Sequence, residues 1–542
     1  MKLITPKKQF DVIDSYLYEN ALRIQVRAIC NLEKIQNQYF LREKSFRKIY
    51  YYSKEIGIRN TILKILSRSR EKIRNEKYFS IGIGKVLQCR SDMFSPSETV
   101  FFIATNHPAC PERVITQEEL VFRVNPNDFP WLSSDHIVWF SSFNQEKWWN
   151  SLLGWSPYSG LPIKNLDRNK IVNILSNFWK SIIIDKKNHV SIQKSNVVSE
   201  IKLPKTKIKL LHNQKTAALF GYGNYAKTII IPNLHKNIRV TTIHEVDPTQ
   251  LIPYKKNIIY DASPAPRPNT HHDVYFIAGY HHTHTDIAIA GLKIGADVVV
   301  EKPLMTTKMD LEKLISVMRY SSSKFYACFQ RRHHPFNNFF FQDHGINQGD
   351  PISYYAIVYE EFPPELHWYR WPNSRSAIIS NGCHWIDHFI FLNNFSSAVT
   401  AHVRKTKNDE IFVFVELENG ACFSLVLSQR GSARIGMQEY IELRSRSGTA
   451  KISNGGCYYS ENKHRIIRRS KINKYESYKK MYRSISSDIM DQGISQLQDS
   501  WERVQMVSSL VLELDEMLQG SCAYVTPPSA SPSSPEAISP TT

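Results

Sequence analysis

With 542 residues, 42% of them apolar and 12% aromatic, the chain is globular, long enough for two or three domains, and not a disordered polymer. Lys and Arg total 69 against 50 Asp and Glu, a formal charge of +19 that suits an anionic partner or substrate, or simple solubility. No apolar run approaches about eighteen residues, the charged start MKLITPKKQFDVIDSYLYEN has no signal-peptide core, and the eight cysteines include no CxxC pair. Membrane insertion, a disulfide framework and a structural zinc site are therefore not expected, and a cytoplasmic protein is.

In chain order, residues 1–77 read as a basic helical region. Between Arg42 and Lys77 there are twelve Lys/Arg against four Glu, with Ile58, Ile62, Ile65 and Leu66 at helical spacing. That is a solvated helix face; no helix-turn-helix, finger or RNA-binding motif accompanies it, so nucleic acid is not expected as a partner. Residues 78–130 are β-rich, with FSIGIGKVLQC and TVFFIAT between turn residues. A connecting region, 131–213, contains the Trp-rich stretch KWWNSLLGWSPYSGLPIKN. Strands then alternate with helices over 214–325, and 326–522 becomes strand-rich. The tail 523–542, with TPPSASPSSPEAISPTT, has too little to bury and is expected to be disordered.

The informative part is KTAALFGYGNYAKTIIIPNL. An apolar strand, 216–220, runs into Gly221-Tyr222-Gly223-Asn224-Tyr225-Ala226, which fits GxGxxA, and then into an expected helix. The first glycine allows a tight bend, the second lets the backbone approach a pyrophosphate, and the small third residue lets helix and strand pack closely. Phosphates would sit at the helix N-terminus, where free N–H groups and the dipole favour anions. The next strand, in NIRVTTIHEVDP, ends in Glu245, placed to accept hydrogen bonds from a ribose 2′-hydroxyl and to repel a 2′-phosphate. NAD is thus expected in preference to NADP, with Asp247 as the competing acid. The run DVYFIAGYHHTHTDIAIAGLKIGADVVVEKPL supplies strand, loop, helix and strand, with Ile287, Ala288, Gly291 and Leu292 on one helix side. This βαβ punctuation predicts a doubly wound parallel sheet of Rossmann type.

The strand over 297–300 ends on Glu301 and Lys302 before Pro303, which puts Lys302 in the crevice where ligands of such sheets bind. An ammonium there can hydrogen-bond a substrate hydroxyl, and desolvation with nearby positive charge is expected to lower its pKa. Farther on, SNGCHWIDHFIFL places His384, Asp387 and His388 at i, i+3 and i+4 on one helix side. Chelation by that set, or by His281, His282 and His284, lacks further ligands, so no metal site is assigned. Arg331 or Arg332, in FQRRHHPFNNFF, could reach an anionic substrate or lie in a solvated turn. EIFVFVELENGACFSLVLSQ predicts two strands around an Asn419-Gly420 turn, EYIELRSRSGTAKIS a second hairpin around Ser447-Gly448, and SQLQDSWERVQMVSSLVLELDEML a closing helix.

GYGNYA, HTHTDIAIAGLKIGADVVVEKPL and GCHWIDHFIFL together resemble the glucose–fructose oxidoreductase/inositol dehydrogenase (Gfo/Idh/MocA) family, over roughly 214–520. The resemblance implies a Rossmann domain for NAD or NADP and an α/β domain with an open, largely antiparallel sheet for substrate and homo-oligomer contacts. It implies hydride transfer at a secondary alcohol or ketone carbon of a sugar, sugar derivative or nucleotide-sugar. By resemblance Lys302 is the active-site lysine of the Glu-Lys-Pro motif and His384 the catalytic acid/base. Gly221, Gly223, Asn224, Tyr225, Ala226, Glu245, His281, His284 and Glu301 then belong to the cofactor site; Asp387 matches the family's H-x-x-D and orients the site on the substrate side, where Arg331 and Asn381 are the further candidates. One position departs from the pattern: many members carry an acid four residues before the histidine, and here it is Ser380, which also motivates a non-catalytic scaffold or regulatory role as the alternative. Residues 78–124 resemble part of the catalytic domain of medium-chain alcohol dehydrogenases, as a reduced remnant without zinc ligands.

Overall fold

The computed structural model describes residues 213–245, 257–261, 265–267, 270–361, 369, 374–431, 437–491 and, with short breaks, 493–520. It also describes segments 9–12, 21–35, 77–89, 93–107, 113–117, 121–129, 136–141, 190–193 and 198–201, and isolated residues within 53–62 and 169–179. The expectations for Ile58, Ile65, Leu66, Asp247, the Trp-rich stretch and the tail fall outside these residues.

A six-stranded sheet organises the middle of the chain. Ala217 to Phe220, Val274 to Ile277 and Val298 to Val300 are fully apolar runs buried on both faces, the pattern of central parallel strands. The strands lie in the order 259–261, 238–244, 215–220, 274–277, 297–301, 325–328, and every pairing is parallel. Numbered along the chain this is 3-2-1-4-5-6, the dinucleotide-binding order, with its switch point between Lys215–Phe220 and Val274–Ile277. Helix His284–Lys293 covers one face through Ile287, Ala288, Gly291 and Leu292, as the sequence predicts. The domain border expected after 325 moves, because Phe325–Cys328 is the sixth strand. The other face is partly covered from far along the chain: Met481, Tyr482, Ile485 and Ile489 of helix Glu476–Met490 pack with Ala217 and Leu219.

Beyond the sixth strand, an eight-stranded sheet is antiparallel except for one parallel pair, Ser353–Tyr359 with Cys422–Ser428. Both predicted hairpins are present, and Gly420 takes φ +82, which its turn needs. Alternation divides the sheet's faces. Tyr354, Ala356 and Val358 point into a core shared with helix Cys383–Leu392 and helix Trp501–Gly520, while Tyr355, Ile357, Phe412, Phe414 and Tyr440 are exposed on the outer face.

The N-terminal region differs from the helical expectation. Ala21–Ile35 is a fifteen-residue strand that pairs antiparallel with Lys77–Cys89, inside a seven-stranded sheet that also takes in His136–Ser141 and Val190–Gln193. Leu22, Ile24 and Val26 are buried and alternate with Arg23, Gln25 and Arg27, a period of two that makes a strand and not a helix. One sheet therefore spans the borders expected at 77 and 130. Among the described residues no helix is long and apolar enough to cross a membrane.

Candidate active site

Three strand ends are laced together at the switch point. The Gly221 N–H donates to the His244 carbonyl at 2.9 Å, and the Ala278 N–H to the Phe220 carbonyl at 2.8 Å. Gly221 has φ +90, and a Cβ on it would stand 2.4 Å from the Ala278 carbonyl oxygen, so no side chain fits there. Gly223 is the opposite case, with nothing within 4 Å of where its Cβ would stand. One glycine closes the turn and the other leaves its outer side open, which fits a dinucleotide pyrophosphate. Helical backbone begins at Asn224, whose carbonyl accepts the Thr228 hydroxyl at 2.7 Å, and continues through a wide turn over Ala226–Ile230. Ala226 is buried against the sheet. Glu245 stands just beyond its strand, and one of its carboxylate oxygens accepts the Tyr222 N–H at 2.7 Å, so the acid also holds the turn it faces.

Asp297–Glu301 ends beside this crevice. Lys302 Nζ donates to the Ser380 carbonyl at 2.9 Å and stands 5.7 Å from the Tyr369 ring centroid. The peptide joining Lys302 to Pro303 is cis. Burial by itself would lower the lysine's pKa, but Tyr369, Cys383, Glu301 and Glu360 raise it above the ordinary lysine value. This reverses the expected direction: the groups around Lys302 are acids, and the ammonium persists at neutral pH. Ser380 lies in a wide turn, Ile378–Gly382, that leads straight into helix Cys383–Leu392, so the lysine is tied to the start of the helix that carries His384. Such wide turns inside helices recur at functional sites.

His384 is 5% exposed, its Nδ1 is buried with no hydrogen-bond partner, and its ring meets Phe329 and Trp385 edge-on. Burial first, then the charges of Lys302 and Arg331, push its pKa well below the usual value, so the ring is neutral. His388, one turn on, is the contrasting case. Its Nδ1 pairs with the Tyr354 hydroxyl at 3.0 Å and its Nε2 with Asn337 Oδ1 at 2.9 Å, the pattern of a satisfied core histidine.

Several residues expected to face ligands face the protein. The Glu301 carboxylate accepts the Tyr225 hydroxyl at 2.8 Å and the Tyr482 hydroxyl at 2.5 Å, so Glu301 and Tyr225 join the glycine turn to the lysine strand from inside. Asp387 is fully buried and bound by the Arg332 guanidinium through two nitrogens, while Arg332 Nη1 reaches Asp499. Arg331 pairs with Glu439, which also accepts the Trp385 indole N–H at 2.9 Å, and its guanidinium lies 4.5 Å from the Trp385 ring centroid. These pairs place Arg331 neither in a solvated turn nor free for an anionic substrate, and they hold Asp387 inside the protein. His284 pairs through Nδ1 with the Pro303 carbonyl at 2.7 Å, and burial lowers its pKa to about 4, so it braces the lysine turn as a neutral ring. His281 is buried, with its ring 5.0 Å from that of Tyr369, on the lysine side of the crevice. Asn381 is half-buried, its amide 3.9 Å from the Met437 sulfur. Among the described residues no group of His, Cys, Asp and Glu is arranged to hold a metal ion.

Tyr369, Tyr482, Glu439 and Asp499 did not emerge from the sequence. For Tyr482 a signal existed: Tyr478, Met481, Tyr482 and Ile485 recur at helical spacing. Nothing in that spacing indicates which carboxylate the hydroxyl meets.

The chain is similar to solved structures over little more than half its length. A dehydrogenase from Chromobacterium violaceum is 16% identical, covering 57% of this chain and 94% of its own, with a TM-score of 0.47. A 3-ketoreductase from Actinomadura kijaniata, in complex with TDP-benzene and NADP, is 16% identical over 55% and 96%, with a TM-score of 0.45. An oxidoreductase from Agrobacterium radiobacter, in complex with NAD+, L-tartaric acid and magnesium, is 15% identical over 56% and 96%, with a TM-score of 0.46. No curated protein matches the sequence, and no match supports the alcohol-dehydrogenase-like reading of 78–124. Residues 216–327 match the Gfo/Idh/MocA family model, described as an oxidoreductase family with an NAD-binding Rossmann fold, and the parallel sheet of this segment has the Rossmann strand order.

Proposed function

We propose that the protein is an NAD(P)-dependent oxidoreductase interconverting a secondary alcohol and a ketone on a sugar, sugar derivative or nucleotide-sugar. The observation that carries this reading is His384 Nδ1, a buried polar atom without a partner, on a helix whose preceding wide turn accepts a hydrogen bond from the ammonium of Lys302 at the carboxyl end of a Rossmann-type sheet. When bound, the nicotinamide cofactor supplies or accepts the hydride. The turn Gly221–Ala226 would hold its pyrophosphate, Gly223 giving the close approach, and Glu245 would take a ribose hydroxyl and disfavour a 2′-phosphate. Lys302, kept charged by its acidic neighbours, polarises the substrate oxygen by hydrogen bonding. Neutral His384 takes the hydroxyl proton during oxidation and returns it during reduction. Asn381, on the same wide turn as Ser380, is the remaining candidate for a substrate contact. The exposed apolar side chains on the outer face of the eight-stranded sheet suit a second copy of the chain.

The test is a fluorescence titration with NADH and NADPH, followed by turnover assays on sugars and nucleotide-sugars with wild type, Lys302→Ala and His384→Ala. Both variants are expected to keep cofactor affinity within about twofold and to lose at least about a hundredfold in turnover. Unchanged turnover in either variant removes that residue from the chemistry. The second reading, a nucleotide-binding scaffold, is favoured by Ser380: where a relay acid would stand, the chain offers a backbone carbonyl that occupies Lys302. Cofactor binding without turnover on any such substrate supports it.

A further inference from the structure

At the other end of the crevice, the strands Ile238–His244 and Ile259–Asp261 finish side by side, His244 in register with Asp261. The Glu245 N–H donates to the Asp261 carbonyl at 2.8 Å. Asp261 is 3% exposed, and its carboxylate accepts the Nε–H of Arg267, whose side chain is 38% exposed. A guanidinium presents five N–H donors in a rigid fork. Here only the Nε–H is engaged; among the described residues neither terminal nitrogen has a partner. Arg267 is therefore a cation anchored from below by a buried carboxylate, with its outer donors available, at the edge of the sheet that Glu245 occupies. In a sheet of this order the adenine-side ribose lies at the carboxyl end of the second strand, which is Glu245's position.

Resting on the NAD(P) reading above, we propose that Arg267 recognises the 2′-phosphate of NADP, so that the crevice accepts both dinucleotides. Glu245 alone would exclude the phosphate, but one of its oxygens is already held by the Tyr222 N–H, and the neighbouring guanidinium supplies the opposite charge. Arginine suits the task because its planar fork matches a phosphate's oxygens and loses little freedom when already anchored.

The experiment is NADH and NADPH titration of wild type, Arg267→Ala and Arg267→Lys, with adenosine 2′,5′-bisphosphate and 5′-AMP as competitors of NADH on the wild type. Wild type is expected to bind NADPH within about tenfold of NADH. Arg267→Ala is expected to weaken NADPH by roughly ten- to a hundredfold, as for a lost charge-assisted hydrogen bond, and NADH by less than about twofold. Arg267→Lys should fall between them, and the bisphosphate should displace NADH better than 5′-AMP. An unchanged NADPH-to-NADH ratio in folded Arg267→Ala overturns the proposal, as does a wild type that binds NADH and not NADPH. Removing Arg267 takes a charged partner from the buried Asp261; if that variant does not fold, a bisphosphate no better than 5′-AMP on wild type overturns it. Folded wild type that binds neither dinucleotide defeats the NAD(P) reading itself, a different result from all of these.

Discussion

Two strands of one parallel sheet end in basic residues and use them in opposite ways. Asp297–Glu301 gives way to Lys302, whose ammonium makes one hydrogen bond, to the Ser380 carbonyl. Phe325–Cys328 gives way to Arg331 and Arg332, whose guanidinium groups are paired with Glu439 and with Asp387 and Asp499. Both ends are buried, so the difference lies in compensation. Paired charges hold helix Cys383–Leu392 to the Rossmann sheet, whereas the Lys302 ammonium has acids nearby but forms an ion pair with none of them, and spends one hydrogen bond on a carbonyl. The same test separates His384 from His388 on one helix.

Acid should break the arginine end first. His333 and His334 follow the pair, and burial, with Arg332 and Arg331 respectively, lowers each from the ordinary 6.5 to about 4. Their folded pKa values are depressed, so the unfolded chain takes up protons first as pH falls. Stability contributed by the neutral rings is present above about 6.5 and is lost progressively as pH approaches 4, by about 3 kcal/mol apiece. Asp387 works the other way: burial lifts it to about 6 against the pull of Arg332, so its protonation favours the folded chain over part of the same window. Burial also lowers His284, His384 and His388 and raises Glu301 and Asp515, so with more depressed rings than lifted carboxyls the net expectation is a fall in unfolding free energy between pH 7.5 and 4.5, measured by urea denaturation. A flat profile would remove the histidines from the account.

Next in size is Arg332→Ala. It leaves Asp387 and Asp499 buried without their common cation, and the cost of breaking such a pair is about 3–5 kcal/mol. Thermal and urea unfolding check it; a loss below about 1 kcal/mol would mean that the arginine end is not the clamp described. Tyr482→Phe should cost less, about 1–2 kcal/mol, because Glu301 keeps the Tyr225 hydroxyl. If unfolding shows no loss, the link from helix Glu476–Met490 to the lysine strand carries no stability.

What could be read from the sequence was what is local. The glycine turn, the buried strand runs, the Asn419-Gly420 hairpin and the sided helix at 284–293 each declare themselves within about a dozen residues, because turn chemistry and hydrophobic period act at that range. Leu22, Ile24 and Val26 carry a two-residue period just as local, against the helical expectation for residues 1–77. Lys302 could be singled out by its strand end, and His384 by the family resemblance. Their surroundings could not: Arg331 meets Glu439 108 positions away, Arg332 meets Asp499 after 167, and Tyr482 reaches Glu301 across 181. Whether a charged side chain is spent or available depends on such distant partners, so Arg331 and Asp387 resembled ligands for substrate until their partners were placed.

The smallest effect on stability should come from Lys302, one of the two residues to which the proposed function gives the chemistry. Lys302→Met removes one hydrogen bond to a backbone carbonyl and retains most of the side chain's apolar length, so the expected loss is no more than about 1.5 kcal/mol. It also frees the Ser380 carbonyl and relieves His384 of a neighbouring positive charge, so the histidine's pKa should rise toward its ordinary value. NMR titration of the His384 ring in wild type and Lys302→Met measures that change directly, without a substrate. A rise in the variant, with stability nearly intact, is the signature of a lysine held for the site and not for the fold. An unmoved His384 would mean that the two side chains do not share one electrostatic environment, and the contrast between the two strand ends would reduce to a difference in packing.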